Sequence, residues 1–300
     1  MSRLKNNTWL ISCLACLAGL ACAEPELPSG DTVRRMDAFE SQAPYSVSAA
    51  STVSGLGLSA DHSSPRSWYT GLELVVSDTA TEVGVQARHA VLGPADTADE
   101  DLFASIVPQW ADCMPQQGEE CYLTFSAPLT GYVSTDLRLT VPASLAQSIT
   151  VEAGKDVDEI DAAPGDDPIT ASKIISLQGW RGSATVNSTA PIYVDLSLAR
   201  AAPCLDTSGT PCEMGTPGCD CDSAFAVSLT SLHDVELVVP PDWTGRLTVE
   251  TITEGCITLP EGYEPPANGG IVEFNPGGLG EFGHGGYLFG DCVSIAFAAD

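Results

Sequence analysis

Eleven cysteines, four histidines and forty acidic residues set against twelve basic ones are the side chains of this 300-residue chain that could do chemistry. Eight of the cysteines lie beyond the leader-like N-terminus: Cys113, Cys121, Cys204, Cys212, Cys219, Cys221, Cys256 and Cys292. An even set of thiols in an exported chain suits four disulfides, each adding roughly 2–4 kcal/mol by restricting the unfolded state. Spacing alone leaves the connectivity open. Cys113 and Cys121, one short loop apart, are the natural local pair. The competing chemistry is a metal site among Cys204, Cys212, Cys219 and Cys221. Its C-x-C spacing departs from the usual C-x2-C knuckle and no histidine lies within it, so disulfides are preferred.

Asp156, Asp158, Asp161, Asp166 and Asp167 cluster in GKDVDEIDAAPGDDP. Oxygen-rich loops bind Ca²⁺, but the EF-hand pattern fails because Ile160 takes the fifth ligand position and Asp161 the required glycine. An acidic surface loop is the first expectation and structural calcium the second; no other cofactor is expected. His62, His89, His233 and His284 are scattered without a metal-ligand spacing, and there is no G-x-S-x-G nucleophile elbow. Polysaccharide lyases need a positioned base, yet Lys155, Lys173 and Arg181 are nearly all the central basic residues. Catalysis is therefore not expected. Trp68, Trp110, Trp180 and Trp243 could stack on sugar rings, although aromatic residues more often anchor cores and loops.

These residues sit on a framework that reads as β throughout. Asp136 to Glu152 is DLRLTVPASLAQSITVE and Asp234 to Glu250 is DVELVVPPDWTGRLTVE, and the two agree at Asp, Leu, Val, Pro, Thr, Val and Glu without a gap. A fainter copy, LELVVSDTATEVGVQ, runs from Leu72 to Gln86. Each alternates apolar and polar residues with period two, so Leu137, Leu139 and Val141, or Val235, Leu237 and Val239, face one way. Pro142 and Pro240 stop the first strand, since proline cannot donate to a ladder. After a short connector, Ile149 and Val151, or Leu247 and Val249, face inward from a second strand, and the pair reads as a hairpin. KIISL (173–177) and GIVEF (270–274) share a pattern, as do Val194, Leu196, Leu198 and Val293, Ile295, Phe297. An elongated, internally duplicated all-β solenoid-like fold is expected, with antiparallel sandwich domains as the alternative. Only Asp96 to Trp110 reads as a helix, with an acidic start and Pro108 at its end. The seven glycines from Gly277 to Gly290 read as tight turns against a last strand, Cys292 to Ala298.

The run VELVVPPDWTGRLTVETITEGCITL resembles the bacterial putative-adhesin family in its order of strand, V-P, turn, strand, Gly, strand. The patterning covers about half the chain. The resemblance implies β-solenoid-like domains on surface or envelope lipoproteins.

Arg3 and Lys5 precede an apolar stretch, Trp9 to Ala21, too short for an ordinary membrane-spanning helix. Ala21-Cys22-Ala23 suits the general signal peptidase, whereas Gly19-Leu20-Ala21-Cys22 is similar to a lipobox whose cysteine becomes acylated. The expected organisation is a signal peptide at 1–22, a flexible tether at 23–44, a partial β unit at 45–110, a repeat unit at 111–200 and a cysteine-rich repeat unit at 201–300. Removal of residues 1–22 leaves ten basic and forty acidic residues, a net charge of −30. Such a chain is repelled by nucleic acid and anionic lipid. The expectation is a non-catalytic exported lipoprotein, held at the outer membrane or cell surface by Cys22 in a lipid bilayer. Its role would be adhesin-like or structural, toward a cell-surface glycan or protein. The alternatives are a secreted or periplasmic module that binds glycan or calcium and, below it, a polysaccharide-acting enzyme.

Overall fold

The computed structural model describes residues 31–42, 45–46, 56–58, 67–111, 121–126, 132–146, 148–153, 174–199, 205–208, 218–220, 226–243, 246–264, 271–274 and 285–299. The chain enters through β1 (Asp31–Arg35), β2 (Glu40–Ser41) and β3 (Tyr45–Ser46). β4 (Leu56–Leu58), β5 (Ser67–Ser77), β6 (Glu82–Pro94), helix α1 (Asp99–Ala104), β7 (Val107–Ala111), β8 (Cys121–Ser126) and β9 (Tyr132–Pro142) follow. Then come β10 (Ser148–Ala153), β11 (Ile175–Gln178), β12 (Ser183–Ser188), β13 (Ile192–Asp195) and a small ribbon of β14 (Leu205–Asp206) with β15 (Cys219–Asp220). The last third supplies β16 (Ala226–Ser231), β17 (Val235–Val239), β18 (Arg246–Thr251), β19 (Ile257–Thr258), β20 (Val272–Phe274), β21 (Gly285–Gly290) and β22 (Val293–Phe297). Among the described residues no helix is long and apolar enough to cross a membrane.

Two large sheets take up nearly all of these strands. The first runs β1-β6-β9-β5-β11-β13-β17-β22-β19, and the second runs β20-β18-β21-β16-β12-β10-β4-β8-β7. Each coil consists of one second-sheet strand followed in sequence by one first-sheet strand. Seven such coils stack in parallel, in the spatial order β8–β9, β4–β5, β10–β11, β12–β13, β16–β17, β21–β22, β18–β19. The fold is thus an all-β parallel solenoid; the stacked strands are parallel, as an antiparallel sandwich would not be.

Period-two patterning makes the stack possible. In the first sheet, Leu137, Leu72, Ile175, Ile192, Val235, Val293 and Ile257 form one inward column, each in register with the next. In the second sheet, Leu123, Leu58, Val151, Val186, Leu229, Leu288 and Val249 form the facing column. All fourteen residues are buried in one continuous core. A one-residue slip in any strand would turn its apolar set to water, which fixes the register.

The turns decide where each strand goes. The two matched stretches are not hairpins: β9 leads to β10, and β17 to β18, across from one sheet to the other. Leu145, Trp180 and Trp243 are buried where the chain crosses from β9 to β10, from β11 to β12 and from β17 to β18, and each fills a corner of the core. The return corners are polar. Ser188 and Ser231 lie in register, their hydroxyls accept from the backbone N–H of Ala190 and His233, and the Ser231 hydroxyl donates to the Ala190 carbonyl at 2.8 Å. The faint first copy behaves differently. At the position of Leu145 and Trp243 it has Ala80, and the Ser77 hydroxyl accepts from the N–H groups of Thr79 and Ala80. β6 therefore turns back within the first sheet, antiparallel to β9.

Three further expectations are corrected. GIVEF does not match KIISL in position: β20 is an antiparallel edge of the second sheet, whereas β11 is a parallel interior strand of the first. The helix stops at Ala104, and Pro108 lies inside β7, an edge strand, where its missing donor costs no ladder bond. Gly285–Gly290 is a strand, not a set of turns. Gly286 is squeezed between neighbouring coils, where an added Cβ would lie 2.5 Å from the Val227 carbonyl oxygen.

Candidate functional site

Side chains that leave the core stand in straight rows on two faces. On the second sheet one row reads Thr150, Thr185, Ser228, Tyr287, Thr248 and Glu273, in direct register from β10 to β20. Tyr287 is exposed and donates to the Glu250 carboxylate at 2.7 Å. That bond, with some burial and the Glu250 charge, raises the pKa of the Tyr287 hydroxyl. On the first sheet the matching row reads Arg138, Glu73, Ser176, Tyr193, Glu236 and Ser294. Arg138 and Glu73 are paired at 2.9 Å. Burial, then the charges of Asp195 and Glu236, raise the pKa of Tyr193. The first of these rows is thus mainly hydroxyl-bearing, and the second carries the carboxylates of Glu73 and Glu236.

Of the four candidate tryptophans, Trp180 and Trp243 offer no sugar platform, and the side chain of Trp68 lies outside the described residues. Trp180 is 0 % and Trp243 4 % exposed, and the Trp180 indole N–H donates to the Ser183 carbonyl at 3.0 Å. Trp110 packs partly buried against the core. Tyr287, by contrast, was not singled out from the sequence; its alternation with Leu288 is the signal that could have found it.

A buried polar cluster lies near the N-terminal end of the stack. Asp136 accepts from the Thr70 hydroxyl at 2.7 Å and from Nε and a terminal nitrogen of Arg88 at 3.1 and 2.7 Å. Beside it, His89 Nδ1 meets the Thr135 hydroxyl at 2.9 Å, and its ring sits edge-on to Phe125 at 5.0 Å. Burial pushes the His89 pKa down to about 4, against a smaller upward pull from Asp136. A histidine only 3 % exposed cannot reach a substrate, so the cluster is a structural tie between β5, β6 and β9.

At the other end, carboxylate oxygens of Asp234 and Asp291 and the sulfur of Cys292 lie within 4.8 Å of one another. Cys292 is bonded to Cys256, with Cα atoms 4.8 Å apart, so its sulfur is not a thiolate ligand in this state. Cys121 is also disulfide-bonded. Cys113, Cys204, Cys212 and Cys221 fall outside the described residues, as does the side chain of Cys219. Cys22 and the candidate calcium ligands Asp156, Asp158, Asp161, Asp166 and Asp167 fall outside them as well.

No family model matches the chain, and no curated protein matches it. Among solved structures the chain is similar to one described as a "putative cell adhesion protein" from Clostridium sporogenes ATCC 15579, at 8% identity and a TM-score of 0.42, over 87% of this chain and 99% of that one.

Proposed function

We propose that the chain is an exported, non-catalytic envelope protein, anchored through an acylated Cys22, whose solenoid presents flat faces to a macromolecular partner in an adhesin-like or structural role. The observation that supports this is the unbroken register of seven coils. It sets outward side chains in straight rows over a packed aliphatic core, and it gives a large, flat, pre-organised surface. Such a surface suits an extended glycan or another protein better than turnover of a small substrate. The histidine best placed for chemistry, His89, is sealed in the core. The leader, the lipobox-like Cys22 and the polar stretch after it support export and tethering. A charge of −30 opposes anionic membranes, so stable attachment would come from acyl chains, at ~0.8 kcal/mol per buried CH₂.

Cell fractionation of wild type and Cys22→Ala, with protease shaving of intact cells, tests the address. Wild type is expected with membranes and exposed to protease, and Cys22→Ala in the soluble fraction. A wild-type chain beginning at Glu24 and already soluble would overturn the anchor. Beads coated with residues 23–300, perfused over glycan- and matrix-coated surfaces, test the role. Saturable retention that residues 23–300 in solution compete away is expected. Retention no greater than that of beads coated with an unrelated acidic protein would overturn the adhesin-like role.

A further inference from the structure

The β21–β22 coil is the last in sequence yet not the last in space. It sits between the β16–β17 and β18–β19 coils, and hydrogen bonds tie it to both. At its corner the Asp291 N–H donates to the His233 carbonyl at 2.9 Å, the Ile252 N–H to the Gly290 carbonyl at 2.8 Å and the Val293 N–H to the Cys256 carbonyl at 3.0 Å. The Cys256–Cys292 bond is the covalent lock on this inserted coil, joining the residue before β19 to the residue before β22.

Two carboxylates guard that lock. Asp234 precedes β17 in the adjacent coil, and Asp291 precedes Cys292; both lie within 4.8 Å of the Cys292 sulfur. The Thr253 hydroxyl donates to Asp291 at 2.5 Å and holds it in place. No compensating cation is close in sequence, since residues 201–300 contain fifteen acidic residues and a single basic one, Arg246, which is paired with Glu273. Both cysteine residues are partly exposed.

We propose that Asp234 and Asp291 form an electrostatic guard on the Cys256–Cys292 bond, so that cationic thiols unlock the last coil far faster than anionic thiols do. The chemistry is ordinary exchange. A thiolate attacks one sulfur, a new S–S bond forms, the Cys256–Cys292 bond breaks, and the departing sulfur leaves with the electron pair and takes a proton from water. A second thiol then attacks the mixed disulfide, yielding the oxidised small-molecule disulfide and two protein thiols. Attack at Cys292 brings the incoming anion against Asp234 and Asp291. Attack at Cys256 expels the negative charge onto Cys292, beside the same carboxylates. Either route builds anionic charge next to two fixed anions, and a positive group on the reagent offsets it.

The test uses native residues 23–300 and three probes at matched thiolate concentration: cysteamine, 2-mercaptoethanol and 2-mercaptoethanesulfonate. Reduction of each disulfide is followed by alkylation and peptide mass spectrometry. For Cys256–Cys292 in low salt, cysteamine is expected to outpace the sulfonate by roughly tenfold or more, which 0.5 M salt compresses through screening. Asp234→Asn/Asp291→Asn should cut that ratio severalfold, while the ratio at the Cys121 disulfide of the same molecule stays unchanged. Asp234→Asn alone, at an exposed side chain, should give part of the effect if the double variant folds poorly. Equal wild-type rates with the two charged thiols would overturn the proposal. So would a ratio that survives both variants, or one that falls equally at Cys121.

Discussion

Asp136 and Asp234 occupy the same place in two matched stretches, one residue before the inward column of a first-sheet strand, yet they do opposite things. Asp136 is buried and takes three hydrogen bonds from Thr70 and Arg88. Asp234 is exposed and stands beside Asp291 and a disulfide. The difference follows the two ends of the stack. In both places a coil or strand has been threaded between neighbours already adjacent in sequence: β9 between β5 and β6, and β21–β22 between β16–β17 and β18–β19. The N-terminal insertion is held by an ion pair and hydroxyls under the cover of β6, β1 and α1. The C-terminal insertion is held by a disulfide and an end cluster of Tyr263, Phe274 and Phe297, whose ring centroids lie 5.2–6.1 Å apart.

Breaking the N-terminal tie should cost most. Asp136→Ala leaves the Arg88 guanidinium, about one-third exposed, and the Thr70 hydroxyl without their acceptor. A loss of about 3 kcal/mol is expected, the lower part of the range for a broken buried pair because Arg88 is partly solvated. Chemical denaturation reads it, and a loss below about 1 kcal/mol would show that solvent replaces Asp136.

Cys256→Ser should cost somewhat less, about 2–3 kcal/mol, by freeing the unfolded chain. Protection from hydrogen exchange should fall first in residues 285–297. Uniform loss across the stack would mean that the C-terminal coil has no stability of its own.

Acid probes the N-terminal tie through His89. The His89 pKa is about 4 in the fold, lowered from 6.5. Above pH 6.5 both folded and unfolded states keep the ring neutral, and the full stability is present. As pH falls from 6.5 toward 4 the unfolded chain takes a proton that the fold excludes, so stability declines, by up to about 3 kcal/mol. His89→Gln should flatten this part of the pH profile. A profile unchanged by the substitution would assign the acid response to other groups.

The smallest effect belongs to the exposed row. Arg138→Ala removes the pair with Glu73, both half exposed, and a contact with the Phe39 ring at 4.1 Å. A change of less than about 1 kcal/mol is expected. A larger one would give this row of the first sheet a structural role.

Period-two alternation by itself determined which side chains of β9, β10, β17 and β18 face inward, because strand geometry admits only two faces. Pro142 and Pro240 likewise marked strand ends, because proline cannot donate. The even cysteine count announced bridges but not that Cys256 meets Cys292, thirty-six residues away, because that pairing exists only once β22 lies beside β19. Trp180 and Trp243 read as core or loop anchors ahead of ligand platforms, but only the crossings between sheets showed which corners they fill. Nothing local in β6 says that it turns back while β10 crosses over; the apolar wedge at Leu145, absent at Ala80, acts only when a second sheet is there to receive it. Alternation fixes a strand's face, but its neighbour, the coil order and the fate of each aspartate are set by contacts between segments far apart in the chain.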